Sequence, residues 1–75
     1  MTWEQIVSIE PRLGKLAERA SRESNNASSD KCRLWNFIYK PELYKLVGWE
    51  SRHKELKNPA LFEIASRKIC DILRY

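Results

Sequence analysis

A chain of 75 residues with 43% apolar residues has room for one domain and one modest core. Its net charge of +4 arises from 14 Lys and Arg against 10 Asp and Glu, and the excess is spread along the chain, so it permits nucleic-acid binding without indicating it. No apolar run approaches the roughly 18 residues of a membrane span, and charges interrupt residues 1–20, so we expect neither a membrane segment nor a signal peptide. We expect a cytoplasmic protein in which Cys32 and Cys70 are reduced thiols.

The N-terminal segment has the form of a capping box, with Thr2 as the N-cap and Gln5 three residues later. This pattern predicts a short helix from about Trp3 to Ser8. Pro11 interrupts it because proline has no N–H to donate, and a second, amphipathic helix is expected to start there. Gly14 lies inside the second helix, where glycine gives a less stable helix than alanine. Either another helix approaches closely at this position, or the loss of helix stability is simply tolerated. The expected inward residues of that helix are Leu13, Leu16, Ala17 and Ala20.

Residues 21–30 contain one alanine and no larger apolar side chain. Such a segment cannot bury itself, which predicts a solvated, flexible loop between helices. A loop that becomes ordered on a partner is the alternative.

The segment after this loop is the most apolar part of the chain. Asp30 is the predicted N-cap of a helix over Lys31 to Tyr39, which is apolar on most of its circumference and is therefore expected to have neighbours on several sides. Pro41 is expected to end that helix near Lys40 and to begin a short helix to Val47. Gly48 follows as the left-handed residue of a helix C-terminus, which places Trp49 back on Tyr44.

The last stretch carries the clearest helix signals. Asn58 is a good N-cap, and Pro59 stands at the first helical position, where its missing N–H costs nothing. Glu63 and Arg67 have the spacing of a favourable ion pair. The expected inward stripe is Leu61, Phe62, Ala65, Ile69, Ile72 and Leu73. The expected outward residues are Glu63, Arg67, Lys68, Asp71 and Arg74.

These segments predict an all-α fold, a compact bundle of four or five short helices with the longest helix at the C-terminus. Residues 1–75 form a single domain in this prediction, with the polar flexible loop at 21–30.

The residues typical of catalytic and metal sites are scarce. His53 is the single histidine, no nucleophile or orienting carboxylate lies at a recognisable spacing from it, and two glycines cannot build a phosphate loop. Cys32, His53 and Cys70 form no CxxC or HxxxH pair. We therefore expect no enzymatic activity, no cofactor and no metal.

The loop over residues 49–57 is the candidate nucleic-acid contact. Its aromatic and basic members are Trp49, Arg52, His53, Lys54 and Lys57. The basic groups suit phosphates, the indole suits base stacking, and the loop leads to the N-terminus of the last helix, which favours an anion. Glu50 and Glu55 reduce the net positive charge of the loop. The expected packing of Trp49 on Tyr44 would also make its indole unavailable for stacking on a base.

Protein binding is the second and favoured hypothesis. Three Trp, three Tyr and two Phe are many for so small a core, and such residues anchor interfaces. Trp3, Tyr39 and Tyr75 lie near segment ends and are the candidate interface residues. We therefore expect a small binding domain whose partner is another protein or a second copy of the chain, with nucleic acid as the alternative.

Overall fold

The computed structural model describes residues 1–75, which form helices joined by short connections and contain no strand. The α-helices are α1 (Trp3–Ile9), α2 (Arg12–Ser24), α3 (Lys31–Leu34), α4 (Lys40–Leu46) and α5 (Pro59–Leu73). A π-helical segment (Trp35–Tyr39) joins α3 to α4, and a 3₁₀ turn (Lys54–Leu56) precedes α5. The radius of gyration of 11.8 Å agrees with the value of about 11 Å expected for a compact chain of this length. The predicted all-α fold, with its longest α-helix at the C-terminus, is confirmed.

The helices begin where short polar side chains satisfy the free N–H groups of the first turn. Thr2 and Gln5 form the predicted capping box. The Gln5 amide oxygen accepts a hydrogen bond from the Thr2 N–H at 2.8 Å, and the Thr2 hydroxyl accepts one from the Gln5 N–H at 3.3 Å. The Asp30 carboxylate accepts from the Arg33 N–H at 3.2 Å. The Asn58 amide oxygen accepts from the Ala60 N–H at 2.9 Å. All three predicted N-caps are therefore confirmed.

The core lies between α2 and α5, and α1 and α4 close its sides. From α5, the buried residues are Leu61, Ala65, Ile69 and Leu73, as predicted, with Phe62 and Ile72 half-buried. From the other segments, the buried apolar residues are Ile6, Leu13, Leu16, Ala20, Tyr39, Leu43, Leu46, Val47 and Leu56. The apolar stripe of α5 is thus covered by the rest of the chain.

The second helix is longer than predicted, because α2 continues to Ser24 and takes the first four residues of the expected loop. Arg22 and Glu23 are good helix formers, so an exposed last turn can extend from the packed part of α2. The connection that remains, residues 25–30, is held by local hydrogen bonds. The Ser28 N–H donates to the Asn26 side-chain oxygen at 3.1 Å, and the Ser29 hydroxyl donates to the Glu23 carbonyl at 3.2 Å.

Pro41 does not end the helix before it, so the predicted break near Lys40 is wrong. Residues 31–46 form one continuous helical stretch, called the central helix below. Proline cannot bond to the carbonyl four residues earlier, and the chain accommodates it by widening into a π-helical turn just before the ring. In that turn the Lys40 N–H donates to the carbonyl of Trp35, five residues back.

The first half of the central helix is less buried than its apolar sequence suggested. Tyr39 is the only buried residue between positions 31 and 39, and the side chain of Phe37 is 75% exposed. The expectation of neighbours on several sides is therefore wrong, because one side of the segment is exposed, and it carries Cys32, Arg33, Asn36 and Phe37.

Gly48 has the predicted positive φ of +96°, but the reason differs from the expected C-cap motif. Val47 before it is extended, and the Gly48 N–H donates to the distant carbonyl of Leu56 at 2.8 Å. A Cβ atom at Gly48 would also lie 3.2 Å from the Cβ of Phe62. The glycine therefore serves a close crossing between the loop and α5.

Candidate binding surfaces

The loop over residues 49–57 is folded against the body of the domain by two buried residues, Ser51 and Leu56. The Ser51 hydroxyl accepts from the His53 N–H at 3.1 Å, and the 3₁₀ turn ends at Leu56. Of the side chains predicted to contact nucleic acid, those on the outside are Trp49, Arg52, Lys54 and Lys57. The loop is thus a formed surface that exposes one indole and three cations.

Trp49 is 70% exposed, so the predicted packing of its indole onto Tyr44 is wrong. Tyr44 instead stacks on Phe62, with ring centroids 4.4 Å apart and an angle of 17° between the planes. Since Gly48 belongs to a loop crossing and not to the expected C-cap motif, nothing directs the next side chain back onto the helix. Trp49 is therefore available to a partner.

His53 is separated from the other basic residues of the loop because its ring turns inward. Its Nε2 atom lies 3.4 Å from the Oε1 atom of Glu10, which is buried at the junction of α1 and α2. The Arg12 guanidinium donates to both carboxylate oxygens of Glu10, at 2.7 and 2.9 Å. We call this group the Glu10 cluster. His53 therefore faces Glu10 and lies apart from the exposed cations of the loop, and its assignment as a nucleic-acid contact is not supported.

The Glu10 cluster strongly favours the charged carboxylate. Hydrogen bonds from the Arg12 side chain lower the pKa of Glu10 to about 2, from an ordinary value of 4.5. Burial of the carboxyl raises the pKa and opposes this effect, whereas the Arg12 N–H and the charges of Arg12 and His53 lower it further. Glu10 is thus a buried anion at neutral pH, satisfied by its neighbours.

The N-terminus of α5 offers no free N–H group to an anion. Pro59 has none, and the Ala60 N–H donates to the Asn58 side chain. The N–H groups of Leu61 and Phe62 donate to the Asn58 carbonyl at 3.0 and 3.3 Å. The anion site expected at this helix end is therefore not supported, because the cap has already satisfied its donors.

The stacked rings of Tyr44 and Phe62 lie in the middle of a groove between the second half of the central helix and α5. A depression of about 420 Å³ extends from them towards Trp35, and a second of about 240 Å³ extends towards Trp49. Both are lined by Tyr44, Phe62 and Glu63, so the two depressions adjoin at the stacked rings. We call this surface the aromatic groove. The side chains that define it are Trp35, Lys40, Tyr44, Trp49, Phe62, Glu63 and Arg67.

Two cations of the aromatic groove have no partner within the chain. Neither Lys40 nor Arg67 has a carboxylate within 4.0 Å, so the predicted ion pair between Glu63 and Arg67 does not form. Exposed ion pairs of this kind contribute little to stability, and their absence costs the fold almost nothing. The groove therefore combines half-exposed aromatic rings with unpaired positive charge.

No family model, curated protein or solved structure matches this chain. No helix has both the length and the apolar character needed to cross a bilayer. No three His, Cys, Asp or Glu side chains are grouped so that they would hold a metal ion. Function is therefore inferred from the surface geometry alone.

The aromatic residues predicted to form a protein interface lie in three different environments. Trp3 is half-buried against the core, and Tyr75 is 56% exposed with its hydroxyl 3.4 Å from the sulfur of Cys32. Tyr39 is 0% exposed, so its proposed place on an exposed surface is wrong. It lies on the side of the central helix that faces α2, where the Arg19 guanidinium is 5.9 Å from its ring centroid.

Phe37 is an exposed ring that sequence reasoning did not single out. It had been assigned to a helix with neighbours on several sides, but its side chain has the largest exposed fraction of any large apolar residue in the chain. A signal was present in the spacing, because Asp30 and Arg33 precede Phe37 by seven and four residues and so share its side of the helix. Charged residues at those positions indicate a solvent-facing side.

Proposed function

We propose that the chain is a protein-interaction domain that binds a segment of another protein in the aromatic groove. The observation that carries this proposal is that four aromatic rings line two adjoining depressions, and these rings are Trp35, Tyr44, Phe62 and Trp49. Trp and Tyr dominate the binding energy of protein interfaces because they supply a large contact area with few rotatable bonds. A surface with several such rings side by side suits a partner that supplies apolar anchors.

The charges of the groove support a particular chemistry for the proposed segment. Lys40 and Arg67 are unpaired and lie beside Trp35, whereas Glu63 is the acidic residue common to both depressions. Two cations against one carboxylate favour a ligand with acidic residues next to its apolar anchor. Tyr44 follows Trp35 by nine positions, a rise of about 14 Å along a helix, which corresponds to roughly four residues of extended peptide.

Selection from a random peptide display library tests this proposal. The wild-type chain is expected to enrich peptides in which an aromatic or large aliphatic residue is flanked by Asp or Glu. A double variant, Lys40→Glu with Arg67→Glu, is expected to enrich basic flanks instead, because the charge of the groove is reversed. A second double variant, Lys15→Glu with Lys68→Glu, has the same net charge but is altered outside the groove, and it should enrich the same peptides as the wild type.

Two results would contradict the groove as the binding site. One is the absence of any enriched class of peptide. The other is unchanged affinity for the selected peptides after Trp49→Ala or Tyr44→Ala, since both rings are at least partly exposed and their removal leaves the core in place.

Nucleic-acid binding is the second candidate, and the exposure of Trp49 is the observation that favours it. The indole lies in the same loop as the exposed cations Arg52, Lys54 and Lys57, an arrangement that suits stacking on a base beside phosphate contacts. Glu50 and Glu55 in the loop and the satisfied N-terminus of α5 favour the protein partner over this alternative.

A titration of the labelled chain with a 20-nucleotide oligo-dT and with a 20-base-pair duplex separates the two candidates. Binding through the loop predicts amide shifts at residues 49–57 at low salt and an affinity that falls steeply as salt rises. Each of Lys54→Ala and Lys57→Ala should then reduce the slope of log affinity against log salt by about 1. No shift at low salt eliminates nucleic acid as the partner.

A further inference from the structure

We infer that a second copy of this chain binds to the side of the central helix around Phe37, in a twofold-symmetric dimer. This surface, called the Phe37 face, is separate from the aromatic groove and shares none of the side chains that define it. Its charged and apolar residues are Glu23, Asp30, Arg33, Leu34, Phe37 and Ile38. The inference is independent of the proposed function, because it concerns another surface and another partner.

The Phe37 face carries both a projecting ring and a place to receive one. The Phe37 side chain is 75% exposed, and beside it Leu34 and Ile38 form the apolar part of a depression of about 300 Å³. A closed apolar cavity of roughly half that volume is enough to hold benzene, so the depression can take a phenyl ring. A twofold contact presents the same patch from both copies. Each Phe37 ring can therefore enter the depression of the other copy.

The charges around the depression are also self-complementary. Glu23 and Asp30 are acidic and Arg33 is basic, and none of the three has an ion-pair partner within 4.0 Å in its own chain. A twofold axis through an antiparallel pair of helices brings Arg33 of one copy towards the acidic residues of the other. A foreign partner could match either the ring and its depression or the charges alone. A second copy matches both, because it supplies a ring, a depression and charges of both signs.

The net charge of the Phe37 face is small enough to allow a second copy to bind there. The chain as a whole carries +4, so two copies repel each other over most of their surfaces. The face carries −1, from Glu23 and Asp30 against Arg33, and is thus a place where two copies meet with little repulsion. At physiological salt the remaining charges are screened beyond about 8 Å.

Sedimentation velocity between 10 µM and 1 mM tests the inference on the complete chain. The wild type is expected to approach twice the chain mass of 8.9 kDa at the high end of this range. Phe37→Ser should remain at the mass of one chain throughout, with an unchanged helical circular dichroism spectrum because the ring is exposed. Trp49→Ser removes another exposed ring and should dimerise as the wild type does. A wild type that stays monomeric at 1 mM, or a Phe37→Ser variant that dimerises equally well, overturns the inference.

A charge exchange tests the twofold geometry and distinguishes it from a general apolar association. Arg33→Glu makes the rim entirely acidic, and Glu23→Arg makes it predominantly basic. Each variant alone should dimerise at least tenfold more weakly than the wild type, and an equimolar mixture should form a heterodimer of near wild-type affinity. A mixture that associates no better than its components overturns the twofold arrangement. Neither substitution touches the aromatic groove, so peptide selection by these variants reports separately on the proposed function.

Discussion

Replacing Glu10 by glutamine removes the negative charge of the Glu10 cluster and keeps the size of the side chain. The Glu10 residue is 4% exposed, and its carboxylate accepts from the Arg12 guanidinium at 2.7 and 2.9 Å and faces His53 at 3.4 Å. The glutamine amide can accept one of the two arginine hydrogen bonds, but its NH₂ group faces the second donor. The variant is therefore expected to fold with lower stability.

The magnitude follows from the pKa of Glu10, which folding lowers from 4.5 to about 2. If the whole difference reported on folding, the ionised carboxylate would stabilise the native state by about 3 kcal/mol. The Arg12 side chain is 53% exposed, and an ion pair with one partner in water is weakened by screening and by side-chain entropy. We therefore expect Glu10→Gln to lower the free energy of unfolding at pH 7 by about 1–2 kcal/mol.

Urea unfolding followed by circular dichroism at several pH values is the assay. The pKa of Glu10 is lower in the folded than in the unfolded state, so its stabilising contribution is complete above about pH 5 and is lost as the pH falls towards 2. The difference in stability between the wild type and Glu10→Gln should therefore shrink over this range and approach zero near pH 2. Glutamine does not titrate, so the variant provides a reference in which the side chain at position 10 contributes no pH dependence.

Glu18→Gln is the matched control, since Glu18 is exposed on α2 and has no ion-pair partner. It should change the free energy of unfolding by less than about 0.5 kcal/mol, the usual range for a surface site. Arg12→Gln should also destabilise, because it leaves the buried Glu10 carboxylate without its guanidinium partner, and the double variant should cost less than the sum of the two. Parallel pH profiles for the wild type and Glu10→Gln would refute the role assigned to the cluster.

Two further predictions concern packing and the backbone. Ile69→Ala should lower the free energy of unfolding by about 2–5 kcal/mol, because Ile69 is 0% exposed, and a loss below half a kcal/mol would contradict its burial. The two glycines should respond to alanine with opposite signs. Gly48→Ala should destabilise by about 1–3 kcal/mol, since its φ is +96° and the added Cβ would lie 3.2 Å from the Cβ of Phe62. Gly14→Ala should stabilise by about 0.5–1 kcal/mol, since a helical Cβ there meets Val7 at an ordinary 3.4 Å; equal effects of the two substitutions would contradict this account.

The features predicted correctly are those decided by interactions within a few residues. The caps at Thr2, Asp30 and Asn58 bond to N–H groups two or three positions away, so their sequence signals needed no knowledge of the fold. The same holds for the stripe of α5, because helical periodicity alone decides which of its side chains share a face. Local sequence thus determined where these helices begin and which face of α5 is buried.

The surface features were decided by contacts between residues far apart in the chain. Tyr39 and Phe37 are two positions apart in an apolar segment, yet one is fully buried and the other is 75% exposed. The difference depends on where α2 and α5 pack against the central helix. The charges of Asp30 and Arg33 indicate the solvent-facing side, but they do not tell how much of the remaining surface the other helices cover. His53 and Glu10 are likewise brought together only by the folded loop.

Sequence by itself determined an all-helical chain, its caps and its inward-facing stripe, because those depend on hydrogen bonds and side-chain directions within one helix. Only the tertiary structure decided that Trp49 faces solvent, how far Phe37 is exposed, and that Lys40 and Arg67 line one groove with Trp35. The physical reason is that exposure depends on what other segments cover. A side chain can contact a partner only where no other segment of the chain covers it.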